Sequence, residues 1–310
     1  MDRTRTKIAI SLASALLVLG SVHAGPLREL LMQRRSGGMP QRYSREVTLP
    51  PNVRVQRDVA YGSDPQQRFD VYLPPRAHDA PVILLVHGGG WQRGDKAMNN
   101  VVQNKLTRWV PRGLVLISVD YPMLPQADPL QQARSVAQAL AWAQRHAAEW
   151  GADPRKFILM GHSAGSHLIS LISAEPSIAI SAGAQPWLGT VALDSAAFDV
   201  AQIMRGHHLP LYDQAFGSDP SSWNAASPLA QLHSRMAPFL AVCSSRRDES
   251  CPQAQAFVDK ARSFGTQARV LPENLSHEEI NEQLGLPSGY TTQVEAFMAG
   301  LDPAVASALR

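Results

Sequence analysis

Residues 157–165, Phe-Ile-Leu-Met-Gly-His-Ser-Ala-Gly, set an apolar run directly ahead of a G-x-S-x-G. Leu168, Ile169, Leu171 and Ile172 then continue it with helical spacing. A strand that turns this abruptly into a helix presents the residue at the turn, Ser163, with its hydroxyl clear of the sheet. Gly161 and Gly165 carry no Cβ and leave room for the tight backbone. The motif alone arises easily by chance. The strand before it and the helix after it favour a nucleophile elbow; an ordinary strand-turn-helix with a solvent-facing serine is the alternative for this stretch.

A serine hydroxyl needs a base, an orienting acid and an oxyanion site before it reacts at neutral pH. The apolar run 82–86 ends in His87-Gly88-Gly89-Gly90-Trp91. Three successive glycines cost backbone entropy. Their expected use is to turn the N–H of Gly88 or Gly89, together with that of Ala164, toward a developing oxyanion. His87 is expected to hold this loop by hydrogen bonding. In a Ser…Asp…His chain order the acid follows one later strand and the base follows the next. Asp248 follows the apolar run 239–242, and His277 follows 268–271 and is the one histidine after Asp248. The expected triad is therefore Ser163, Asp248 and His277. Asp194, Asp199 and Glu249 stand as rival acids, and His207, His208 and His233 as rival bases if the acid lies earlier. Ser276-His277-Glu278-Glu279 also reads as a capping box that opens a helix at His277.

Continuous apolar runs at 82–86, 114–119, 157–160, 190–193, 239–242 and 268–271, with helical patterns between them, mean strands buried on both faces and hence a parallel sheet. Residues 53–60 and 68–73 alternate around Gly62-Ser63-Asp64-Pro65 and read as an edge hairpin. The clearest helix is 129–150, with Leu130, Ala133, Val136, Ala137, Leu140 and Ala141 on one face and Gly151 and Pro154 to stop it. The segment 197–238 is too apolar to lie open in water. Its Met204, Leu209, Leu211, Tyr212, Phe216 and Trp223 read as short helices packed on the sheet that serve in part as a lid. With 310 residues, 45% of them hydrophobic, the chain can bury one large core, assigned to 52–310.

Residues 1–24 read as a signal peptide. Arg3, Arg5 and Lys7 precede an apolar run, 8–20, shorter than the roughly 20 residues of a bilayer span, and Val22-His23-Ala24 offers a cleavage site. Export to the periplasm or the medium is expected, with 25–51 as an N-terminal arm whose Arg34 and Arg35 leave contact with a membrane surface open. Cleavage would remove three cations and the anion Asp2, taking the formal charge from +3 to +1. So even a balance gives a nucleic-acid partner no support. In an oxidising compartment Cys243 and Cys251 are expected to pair and close a short loop around Asp248; two unpaired buried thiols are the alternative.

Three further stretches carry a resemblance: Trp91-Gln92-Arg93-Gly94-Asp95-Lys96, Asp120-Tyr121-Pro122-Met123-Leu124-Pro125 and Asp153-Pro154-Arg155. With the HGGGW loop and the GHSAG elbow, the chain from about residue 63 onward resembles the α/β-hydrolase superfamily. Within it, the likeness is to secreted carboxylesterases and arylformamidase-like enzymes. The resemblance implies an α/β-hydrolase fold: a mostly parallel central sheet, helices on both faces and a small helical lid region. It also implies a serine carboxylic-ester hydrolase working through an acyl-enzyme, with no metal and no organic cofactor. The implied partner is a small-molecule ester of small to medium acyl length, in a pocket assigned to Trp91, Trp187, Met204, Leu209, Tyr212 and Trp223. A lipase on longer chains, an amide or formamide hydrolase, and a non-catalytic binder on the same fold are the alternatives. No motif encodes an oligomeric state.

Overall fold

Alternation along the strands decides which side of the sheet each residue packs on. In β3 (Ala80–Val86), Val82, Leu84 and Val86 join one core cluster while Ile83 and Leu85 join another, and all five are fully buried. The computed structural model describes residues 46–195 and 197–310. The expected signal peptide and most of the expected arm lie outside the described residues. Around β3 the sheet has eight strands in the order β1-β2-β4-β3-β5-β6-β7-β8. The others are β1 (Arg54–Ala60), β2 (Arg68–Leu73), β4 (Val115–Val119), β5 (Ala152–His162), β6 (Gly189–Leu193), β7 (Phe239–Ser244) and β8 (Ala268–Glu273). The hairpin β1–β2 is antiparallel at one edge, β2 pairs antiparallel with β4, and every pairing from β4 to β8 is parallel. This is the expected sheet: buried on both faces, its inner strands read as unbroken apolar runs.

Helices cover both faces. On one lie α2 (Pro129–His146) and α3 (Ala164–Ala174), which contribute Ala133, Val136, Leu168 and Ile172 to the cluster of Val82 and Leu84. On the other lie α1 (Asn99–Trp109), α11 (Gly289–Ala299) and α12 (Pro303–Ala308), with Leu106, Trp109, Phe297 and Val305 against Ile83 and Leu85. The start of α2 is set by Asp128, whose carboxylate accepts from the Gln131 N–H while the Gln131 side chain accepts from the Asp128 N–H. Burying one such aliphatic side chain contributes about 1.5–3 kcal/mol. Leu84→Ala, at the centre of the sheet, is expected to cost about 2–5 kcal/mol, read as a lowered urea midpoint with unchanged slope.

After β6, the chain forms α5 (Val200–Arg205), α6 (Pro210–Phe216), α7 (Pro220–Ala225) and α8 (Pro228–Gln231), following α4 (Ser177–Ser181) earlier in the chain. Met204, Ala215, Phe216 and Ala226 of this segment belong to the same core cluster as β3 and α3. The expected lid is therefore seated on the body by its own apolar residues. The remaining helices, α9 (Ser250–Ser263) and α10 (His277–Glu282), follow β7 and β8.

Candidate active site

Ser163 follows β5 and is the N-cap of α3 at φ 55°, ψ −119°, a region that non-glycine residues rarely occupy. Such a backbone costs on the order of 1–3 kcal/mol and persists only where neighbours enforce it. Here the Ser163 N–H donates to Leu193 O (2.9 Å) and the His167 N–H donates to Ser163 O (3.0 Å). A Cβ on Gly165 would stand 2.3 Å from Val86 O and 2.4 Å from His87 O, so α3 meets β3 backbone to backbone. Gly165→Ala is expected to force β3 and α3 apart; the measurement is the melting temperature, and an unchanged value would refute the close approach.

The chain order that predicts the base is met. His277 is the first residue of α10, behind the N-cap Ser276, whose hydroxyl accepts from the Glu279 N–H while the Glu279 carboxylate accepts from the Ser276 N–H. Its Nε2 is 2.9 Å from Ser163 Oγ, and its Nδ1 is 2.6 Å from Asp194 Oδ2. With Nδ1–H donating to the carboxylate, Nε2 is left to accept from the serine hydroxyl. The side chain of His277 keeps 27% of its exposure, so the pair is reachable from solvent.

The carboxylate beside His277 is that of Asp194, not Asp248, and this corrects the expected triad. Asp194 is the residue after β6; its N–H donates to Val242 O (2.8 Å), which carries the ladder with β7 one step further. At φ 51° the chain then turns, and the side chain is fully buried. Asp248 lies exposed in the turn between β7 and α9. That turn sends donors inward instead: the Ser244 N–H and Ser250 Oγ both bind Asp194 Oδ1 (2.6 and 2.5 Å), and Arg247 Nη1 binds Oδ2 at 2.8 Å. Burial works to raise the Asp194 pKa. The hydrogen bond and charge of His277, the Arg247 guanidinium and the Ser250 hydroxyl outweigh it and hold the carboxyl well below the usual range. The S-S-R-R-D-E-S run of 244–250 was the available signal, since a loop so rich in donors suits a carboxylate supplied from elsewhere. Cys243 and Cys251 do pair, with S–S at 2.03 Å and Cα atoms 5.1 Å apart. The bridge brackets the donors that hold Asp194.

The glycine loop lies against the nucleophile. A Cβ on Gly88 would fall 2.8 Å from Ser163 Cβ, and Gly89 takes φ 121°. Ala164 is buried at the first position of α3, so Gly88 and Ala164 both border Ser163, while Gly89 turns back against the Arg93 backbone. His87 holds the loop as expected, its Nδ1–H donating to Gly88 O at 2.7 Å while Tyr121 OH donates to His87 O at 2.9 Å. Below it, the Lys96 ammonium sits 2.9 Å from Asp58, 3.5 Å from Asp70 and 3.6 Å from Asp120. Two further histidines are placed that the motifs alone did not mark. His162 Nε2–H donates to the backbone O of His277 (2.8 Å), with the two rings 4.5 Å apart. Burial, and then the charge of His277, push His162 well below its ordinary range, which keeps it neutral. His167 accepts from Trp91 Nε1–H (3.2 Å) and donates from Nε2 to Ala226 O (2.7 Å). Burial pulls it down to about 4. Neutral His167 thus ties the glycine loop to the segment before α8.

Of the residues assigned to the pocket, Trp91 and Tyr212 pack at 5.9 Å, and Phe216 completes the group at 5.0 Å from Trp91. Met204 and Trp223 line a groove of about 490 Å³ with His208, Asp213, Gly217 and Ser218, and Leu209 precedes α6. Trp187 does not belong with them. Its Nε1–H donates to Thr190 Oγ1 at the start of β6, and the neighbouring Leu188 N–H donates to Phe157 O. Phe157 lies six residues before Ser163 on β5, so Trp187 sits roughly 20 Å away at the opposite end of the sheet. Parallel strands put their nucleophile at the C-terminal edge, and Trp187 is at the N-terminal one.

Comparison with known proteins finds likenesses to esterases. The BD-FAE family model matches residues 69–180, which hold the glycine loop and the elbow. Among the relatives is a probable isoprenylcysteine alpha-carbonyl methylesterase of Arabidopsis thaliana. It is 26% identical over 248 residues, 73% of this chain and 51% of that protein. Esterase LipC of Mycobacterium tuberculosis is 27% identical over 227 residues, 67% of this chain and 55% of that one. The chain thus spans about half the length of these curated relatives. Among solved structures, esterase B from Lactobacillus rhamnosis superimposes with a TM-score of 0.66 at 19% identity, covering 90% of this chain and 92% of that one. Taken with the parallel sheet and the serine after its fifth strand, these likenesses give the chain the α/β-hydrolase fold and make it similar in sequence to carboxylesterases.

Proposed function

We propose that the protein is a serine carboxylic-ester hydrolase acting through an acyl-enzyme, with Ser163 as nucleophile, His277 as base and Asp194 as the orienting acid. The observation that carries this reading is the unbroken chain from Ser163 Oγ through His277 Nε2 and Nδ1 to Asp194 Oδ2, at 2.9 and 2.6 Å. As Ser163 Oγ attacks the ester carbonyl, its proton passes to Nε2 and the carbonyl π pair moves onto oxygen. The N–H groups of Gly88 or Gly89 and of Ala164 receive that oxyanion. Removing one such donor typically costs about 2.7–4 kcal/mol of transition-state stabilisation. Collapse breaks the C–O bond of the leaving alcohol, which takes the proton from His277. Water then repeats the cycle on the acyl-enzyme and frees the acid.

The packed group of Trp91, Tyr212 and Phe216 beside the glycine loop favours esters of small to medium acyl length. The test is hydrolysis of p-nitrophenyl esters from acetate to palmitate, beside Ser163→Ala and His277→Ala. The expected result is a short-chain optimum, with kcat at least 10⁵-fold lower in both variants. An optimum at palmitate would favour a lipase. A folded wild-type protein inactive on every ester but active on formanilides would favour the amide or formamide reading. We also propose export after cleavage near Ala24, a reading that the Cys243–Cys251 bridge supports because such bonds persist in oxidising compartments. N-terminal sequencing of protein recovered from the periplasm should begin at Gly25.

A further inference from the structure

Lys105 is a lysine 1% exposed, on the inner side of α1, and the chemistry above makes no use of it. Its Nζ donates to Val101 O in its own helix (3.0 Å), to Asn281 O (2.7 Å) and to Asn281 Oδ1 (2.9 Å). The ammonium's three protons thus meet three uncharged oxygens, two of them on α10. A bare cation buried this way is a weak source of stability, since apolar side chains of similar size commonly do as well. Its placement therefore calls for another explanation.

The surroundings supply one. A six-residue helix cannot satisfy its last carbonyls internally, and in α10 neighbouring helices satisfy them. Tyr290 OH of α11 donates to Ile280 O (2.8 Å), Lys105 to Asn281 O, and Asn104 Nδ2 to Glu282 O (2.5 Å). Asn281 returns a bond from Nδ2 to Asn100 O (2.9 Å). Just beyond, Gly285 at φ 106° lies so close to α1 that a Cβ there would stand 2.4 Å from Asn104 O. At the other end of the same helix is His277. We infer that Lys105 is a positioning residue for His277, latching the last turn of α10 to α1 so that the first turn presents the imidazole between Ser163 and Asp194.

The inference rests on the esterase reading. It also accounts for the donor chosen. An ammonium reaches three acceptors in three directions, which no uncharged side chain of that length does. Burial pulls the Lys105 pKa down to about 7, against the opposing pull of the Glu282 carboxylate. The titratable groups that feel this charge are Glu282 on α10 and His162 on β5. Because the folded state holds the Lys105 proton more weakly than the unfolded chain does, the fold loses stability as pH falls from about 10 toward 7. A methionine in its place escapes that loss.

The experiment compares wild type, Lys105→Met and Asn281→Ala on p-nitrophenyl butyrate at pH 6, where Lys105 is charged, with melting temperatures from pH 6 to 10. In Lys105→Met, kcat is expected to fall about tenfold with KM within twofold, while its melting temperature gains on wild type as the pH is lowered. Asn281→Ala, which removes one acceptor and leaves the backbone contact, is expected to lose about threefold in kcat. A kcat within twofold of wild type in folded Lys105→Met overturns the inference. Should Lys105→Met fail to fold, an undiminished kcat in Asn281→Ala overturns it. Absence of esterase activity in wild type strikes the proposed function instead, and is separate from either outcome.

Discussion

Asp194→Asn is expected to lower kcat by about 10³–10⁴-fold on any ester the wild type hydrolyses, while Asp248→Asn stays within about twofold. The size follows from the role: an amide cannot fix the Nδ1–H tautomer of His277 or stabilise the imidazolium, and the matching change in a serine protease triad costs about 10⁴. The contrast follows from placement. Asp194 is fully buried and 2.6 Å from His277 Nδ1, whereas Asp248 is exposed in its turn. The measurement is kcat and KM for both variants, with circular dichroism to show that each is folded. Full activity in Asp194→Asn with collapse in Asp248→Asn would return the acid to the loop after β7. Asp194 is held so far into its ionised form that the orienting carboxylate should not itself limit activity as pH falls from 7 to 5.

The second large effect is expected from Cys243→Ser combined with Cys251→Ser. The bridge closes a loop of sequence separation 8, and opening it releases about 2.5 kcal/mol of loop entropy to the unfolded chain. For a domain of this size that lowers the melting temperature by roughly 5 °C. Activity should fall as well, by about tenfold, because Ser244, Arg247 and Ser250 all lie within or beside the loop and all bind Asp194. Ser250→Ala separates the two effects: it removes one donor to Oδ1 and leaves the bridge intact. Assays on folded protein below its melting temperature would show whether kcat falls in both variants. A loss of stability with kcat untouched would mean that the bridge holds the fold and not the acid.

The contrast between Asp194 and Asp248 marks where reading along the chain stops. A single serine between two glycines at a strand end and three glycines at another announce themselves, because backbone geometry demands particular residues there, and the histidine after the last strand stands alone in its stretch. Gly165 shows it, pressed 2.3 Å from Val86 O, and so does the capping box that opens α10 at His277. A carboxylate meets no such demand. Asp194, Asp199 and Asp248 are equivalent in sequence, and which of them faces the imidazole depends on how two neighbouring strands end. Trp187 failed as a pocket residue for the same kind of reason: aromatic character does not say which end of a parallel sheet a connection lies on.

What the sequence by itself determined is the local chemistry and the layering. Apolar runs of strand length made the parallel sheet, breakers bounded its helices, and glycine positions marked the elbow and the loop beside it. Only the tertiary structure decided which groups complete the site from a distance. Asp194 reaches His277 across 83 positions, His162 reaches its backbone across 115, and Lys105 reaches Asn281 across 176. The physical reason is that these contacts are made by polar side chains whose partners become neighbours only after the sheet has closed. Hydrophobic periodicity, which directs that closure, carries no record of them.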